Sequence, residues 1–151
     1  MTGNDMNSGS SVPPLWFPYP SSKPARLLPP LALAYMGDAI FEVAVRQYVI
    51  SRPNLRPHHL HQQSTKFVSA KAQATLLSLI EPQLTETEHD VVRQGRNAKS
   101  GSVPKNANVI DYRHATALEA LIGYLYYNHE QERMIYLITH GLDQMVSAPK
   151  S

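Results

Sequence analysis

Cysteine is absent from the 151 residues. That removes disulfides and thiolate metal sites, and it suits a reducing compartment. No apolar run is as long as a membrane span. The start of the chain lacks the basic stretch and apolar core of a secretory signal. A cytoplasmic protein with no membrane partner is therefore expected. A strong charge of either sign is also missing: the formal net charge is +2 and the pI about 8.9. Binding to a polyanion would have to come from local clusters of Lys and Arg rather than from overall charge. There is no alternating pattern that reads as a strand and no internal repeat. The His-Glu-x-x-His spacing of zinc enzymes is not found. His58, His59 and His61 fall together in what reads as a connector, where they face solvent.

What is present is a chain with 42% hydrophobic residues, enough for one domain with a single core. Residues 1–26, rich in Ser, Pro, Gly and Asn, read as a flexible leader, residues 27–147 as the folded domain and 148–151 as a tail. Within the leader, Leu15-Trp16-Phe17-Pro18-Tyr19 fits two readings, a disordered tail or a segment docked on the body. The rest reads as helices. Pro29 and Pro30 suit a helix start, and a strongly apolar helix follows from Leu31 to Ile50, with Pro53 and Pro57 as stops. A second helix is expected from about Ser64 to Ile80, ended by Pro82. Thr85 and Glu88 form a capping box for a helix ending near Gly95. A polar loop spans Asn97 to Asn108, and two further helices run from about Asp111 to Tyr127 and Glu130 to Met145. The fold class is all-α, a helical bundle.

Two helices carry candidate chemistry. In the first, Asp38, Glu42 and Arg46 stand at i, i+4 and i+8, one narrow polar stripe on an otherwise apolar helix. Gly37 inside this helix costs about 1 kcal/mol relative to alanine, which close approach of another backbone would offset. Covering every apolar face, including Tyr35, Met36, Ala39 and Phe41, calls for a partner as well as the chain itself. In the helix Tyr112–Tyr127, Glu119 is the only carboxylate, among Leu118, Ala120, Leu121 and Ile122. Asp38 reads as a solvated side chain, a helix cap or a metal ligand. Glu119 reads as a solvent-facing residue or a ligand. Glu42 reads as the surface partner of Arg46. The pairing of one mid-helix acid on each of the two most apolar helices favours a site for a hard, oxygen-binding cation such as magnesium.

Four segments resemble a known family. They are Leu31-Ala32-Leu33-Ala34-Tyr35-Met36-Gly37-Asp38-Ala39-Ile40-Phe41-Glu42, Val68-Ser69-Ala70-Lys71-Ala72-Gln73, Gly95-Arg96-Asn97-Ala98-Lys99-Ser100 and Glu119-Ala120-Leu121-Ile122-Gly123-Tyr124-Leu125. Their order over roughly Leu31 to Leu142 resembles Mini-ribonuclease III, the short branch of the ribonuclease III family. The resemblance implies an all-helical endonuclease domain, a homodimer, and a magnesium-dependent endoribonuclease that cuts double-stranded RNA. It also implies maturation of the large (23S) ribosomal RNA precursor without a separate double-stranded-RNA-binding domain, and the length of the chain agrees. Asp38 and Glu119 match the family's catalytic, metal-binding aspartate and glutamate. The sequence departs from full-length ribonuclease III at Leu31 and Ala34, where that enzyme has glutamates, and at Thr116, where it has an aspartate.

Double-stranded RNA is read mostly by shape and charge. Arg93, Arg96, Lys99, Lys105 and Arg113, interleaved with Asn97 and Ser100, form a stretch with no acid between Val91 and Ile110. Together with Lys71 these are the expected RNA contacts. The competing reading of the stretch is an ordinary solvated loop, and of Lys71 a side chain that merely reaches water. At the level of the whole protein the alternatives are a non-catalytic RNA-binding or ribosome-assembly factor of the same fold, and a helical dimerisation module.

Overall fold

Two prolines open the first helix. Pro29 caps it and Pro30 occupies its first position, where the missing N–H is no loss. In the computed structural model, which describes residues 14–99 and 103–147, this helix is α1, Pro30–Ile50, preceded by a 3-10 turn at Ala25–Leu27. It is followed by α2 (Pro57–Val68), α3 (Ala70–Ile80), α4 (Glu86–Asn97), α5 (Val109–Tyr127) and α6 (Gln131–Ser147). No strand occurs among the described residues. The all-α bundle is the architecture. The first 13 residues, Ser100–Ser102 and the tail 148–151 lie outside the described residues, and with them half of the leader and the whole tail named above.

α5 is the axis of the bundle, packed against α1, α3, α4 and α6. From Ala115 to Tyr126 every residue is buried except Thr116 and Glu119, which share one face. Phe41, Leu76, Leu77, Ile80, Leu118, Leu121, Leu125 and Leu137 fill the centre. Phe41 is fully buried within the chain, so of the α1 residues expected to need a partner's cover, it needs none.

Two local expectations are corrected. Pro57 does not merely stop a helix; it is the first residue of α2, so His58, His59 and His61 lie on a helix and not in a connector. The expected helix over Ser64–Ile80 is two helices, divided at Ser69. There the backbone is extended, and the side-chain hydroxyl accepts from the Ala72 N–H at 3.2 Å, capping α3. α4 ends at Asn97, near Gly95 as expected, and that glycine is a packing contact. A Cβ there would lie 3.0 Å from Ala117 Cα and from Ala120 Cβ on α5.

The capping box is formed. Glu88 N–H donates to Thr85 Oγ1 at 3.1 Å, and Thr85 N–H donates to Glu88 Oε1 at 2.9 Å. Glu88 is also gripped from α6 by Arg133, whose Nε and Nη2 each donate to it at 2.9 Å. Ahead of the bundle, Trp16 N–H donates to Tyr126 Oη at 2.8 Å and the two rings meet edge to face.

Candidate metal-binding acid pair

The site begins with two glycines. A Cβ on Gly37 would overlap the carbonyl oxygen of Glu119, and one on Gly123 would overlap that of Leu33. α1 and α5 therefore cross with their backbones in direct contact, which only glycine permits at both points. The residue after Gly37 is Asp38, and the carbonyl pressed against Gly37 belongs to Glu119. The crossing thus brings the two acids, 81 positions apart in the numbering of the chain, to one place. Asp38 is exposed and Glu119 half-buried. Their side chains are close enough to share a hydrogen bond.

The electrostatics follow from that geometry. Burial raises the Glu119 pKa first, the neighbouring Asp38 charge adds to it, and Glu42 contributes more weakly. The Gln73 side-chain amide works the other way, and the result is a value pushed up to about 8. Glu119 is therefore held well above the usual carboxylate range. A carboxylate pair of this kind is costly to the protein unless a cation or a proton compensates it. Glu42 pairs with Arg46, Nε to Oε1 at 3.5 Å, as its spacing suggests, and its charge contributes weakly to the raised Glu119 pKa.

Magnesium takes oxygen ligands, and one or two carboxylates plus water suffice. The donors here fit: two carboxylates, and the side-chain oxygen of Gln73, which is buried without a hydrogen-bond partner. No larger group of three or more His, Asp or Glu side chains suited to an ion is gathered among the described residues.

The expected RNA contacts lie on α3, α4, α5 and the loop between α4 and α5. Gly95 packs on Thr116, Ala117 and Ala120, so α4 ends alongside the turn of α5 that carries Glu119. Arg96 and Asn97 are the last residues of α4, and Lys99 and Lys105 are exposed in the loop that follows. Arg113 is exposed on α5 and Lys71 on the first turn of α3. Arg93 is already bound to Asp90 at 2.6 Å. Ser100 lies outside the described residues. Gln73, which falls in one of the family-like segments, is the one site residue to which the sequence assigned no role. The available signal was a polar side chain among Ala70, Ala72, Ala74, Leu76 and Leu77.

Residues 31–130 match the model of the Ribonuclease III domain. The chain is 51% identical to the Mini-ribonuclease 3 of Brevibacillus brevis over 109 residues, covering 72% of this chain and 81% of that protein. It is 45% identical to the Mini-ribonuclease 3 of Staphylococcus aureus over 115 residues, covering 75% of this chain and 86% of the relative. This chain belongs to the Mini-ribonuclease III branch of the ribonuclease III family of endoribonucleases. A crystal structure of a Fusobacterium nucleatum protein superposes with a TM-score of 0.71 at 31% identity, covering 82% of this chain and 99% of that one. The ribonuclease III match begins at the residue after Pro30 and ends just after α5, so it contains the whole crossing of α1 and α5. Among the described residues no helix is long and apolar enough to cross a membrane.

Proposed function

We propose that this ribonuclease III family member is a magnesium-dependent endoribonuclease that cuts double-stranded RNA, acts as a cytoplasmic homodimer, and matures the large (23S) ribosomal RNA precursor. The observation that carries the reading is the Asp38–Glu119 pair held at the glycine crossing. A factor that only bound RNA would gain nothing from a carboxylate pair whose mutual repulsion costs stability and repels phosphate. The shared name and high identity of the bacterial relatives support the same activity.

In this mechanism Asp38 and Glu119 are the catalytic residues that would hold the ion. When bound, the ion supplies charge neutralisation at the phosphodiester and a water acidic enough to attack it. Glu119 must surrender its proton for that, and the Gln73 amide favours its charged form. Arg96, Lys99, Lys105, Arg113, Lys71 and Arg93 hold phosphates, and Asn97 and Ser100 offer polar contacts to ribose. Because α4 ends beside the Glu119 turn, phosphates bound at Arg96 and Asn97 are carried toward the acids. Two protomers related by a two-fold axis match the two strands of a duplex.

The test is cleavage of a duplex RNA and of each of its single strands, with magnesium and with chelator. The expected result is cutting of the duplex in magnesium alone. A protein that binds the duplex with salt-dependent affinity and never cuts it, in magnesium or manganese, is the non-catalytic factor instead.

A further inference from the structure

Gln73 stands in the first turn of α3, 4% exposed. Its Nε2 donates to the Val68 carbonyl at 3.0 Å. Val68 is the last residue of α2, so that carbonyl has lost its helical partner to the break at Ser69. The bond decides which way the carboxamide points, because turning it over would set oxygen against oxygen. Oε1 is left as the one buried side-chain nitrogen or oxygen without a hydrogen-bond partner among the described residues. A buried acceptor with no donor costs about 1–3 kcal/mol. The same carboxamide lies against the Glu119 carboxylate.

The geometry points to Gln73 as a positioning residue of the acid site: anchored by Val68, its carboxamide fixes Glu119 beside Asp38 and presents Oε1 to the hydration shell of a divalent ion held by the two acids. This rests on the nuclease reading above. A residue that orients a ligand from behind typically changes metal affinity or activity 10- to 100-fold when removed. A residue that merely fills space changes neither when replaced by an apolar one of similar size.

The experiment compares the full-length wild type with Gln73→Leu, Gln73→Met and Asp38→Asn. Magnesium chloride alone, without RNA, is titrated by calorimetry and thermal shift, and duplex cleavage is measured separately. Both Gln73 variants should still fold without metal, because they exchange one unpaired acceptor, Gln73 Oε1, for another, the Val68 carbonyl. They should bind magnesium at least about tenfold more weakly and lose kcat while the KM for RNA holds. In the wild type, the Gln73 side-chain amide resonances should move as magnesium is added, a readout that needs no variant to fold. Wild-type magnesium affinity in Gln73→Leu or Gln73→Met, or amide resonances that ignore magnesium, would overturn the inference. If Asp38→Asn loses the magnesium response while the Gln73 variants keep it, this inference alone fails and the acid site stands. If Asp38→Asn responds like the wild type, the acid site fails and the inference goes with it.

Discussion

Glu88 shows how one side chain can serve a helix end and a tertiary contact together. It closes the capping box of α4 with Thr85 and takes two hydrogen bonds from Arg133 of α6. Burial alone would raise its pKa, but Arg133 and the Thr85 amide outweigh that and hold it below the usual glutamate range. A depressed folded pKa gives stability that is complete above the unfolded value, about 4.3, and is lost as pH falls through the lower folded value. Glu88→Gln should therefore cost about 2 kcal/mol at neutral pH, and melting curves should show the gap to wild type closing as the solution is acidified below that range. A gap independent of pH would mean that the carboxylate charge is not what Arg133 recognises. In the sequence, Thr85 and Glu88 were legible as a cap because their spacing is local. Arg133, 45 positions further on, carried no such mark.

At the scale of elements, the crossing of α1 and α5 decides where the chemistry is. Its cause was half legible: a glycine inside an apolar helix implies an unusually close neighbour, but nothing local says which one. Asp38 and Glu119, taken singly, were hardly distinguishable from solvated acids, and only the packing of Gly37 on Glu119 joins them. Gly37→Ala and Gly123→Ala should each destabilise by about 3 kcal/mol or more, at the top of the range for overpacking a core. Thermal unfolding checks this, and any folded fraction should lose cleavage activity because the acids are pried apart. Little change in either variant would mean that the backbones do not touch. The helices themselves were readable from apolar periodicity and prolines, with two exceptions. A proline that stops one helix looks like one that starts the next, as at Pro57. A serine that caps looks like one that is simply exposed, as at Ser69. The segment after α4 makes its own prediction. Lys99→Ala and Lys105→Ala together should leave stability within about 0.5 kcal/mol. They should also reduce the salt dependence of duplex binding by roughly one counterion for each phosphate that is no longer neutralised. An unchanged slope in a salt titration would mark the loop as a solvated bystander.

For the whole molecule, what one protomer leaves uncovered is as informative as what it buries. Tyr35 is 84% exposed on α1, and Leu31, Val43 and Ile50 of the same helix are exposed as well. Phe41, expected on that open side, is turned fully inward, because periodicity tells which positions are apolar but not which side the chain itself will cover. The open side is the surface we assign to the homodimer. Sedimentation at micromolar concentration should give twice the monomer mass, and Tyr35→Lys should shift it toward monomer. A wild type that sediments as a monomer would refute the assignment. The central claim, that Asp38 and Glu119 form the cation site of the nuclease, meets its most direct test in duplex cleavage by Asp38→Asn and Glu119→Gln. Each substitution keeps the shape and removes the charge that a hard cation requires. The account predicts folded variants that still bind RNA and have lost cutting in magnesium. Wild-type cleavage by either one would contradict it.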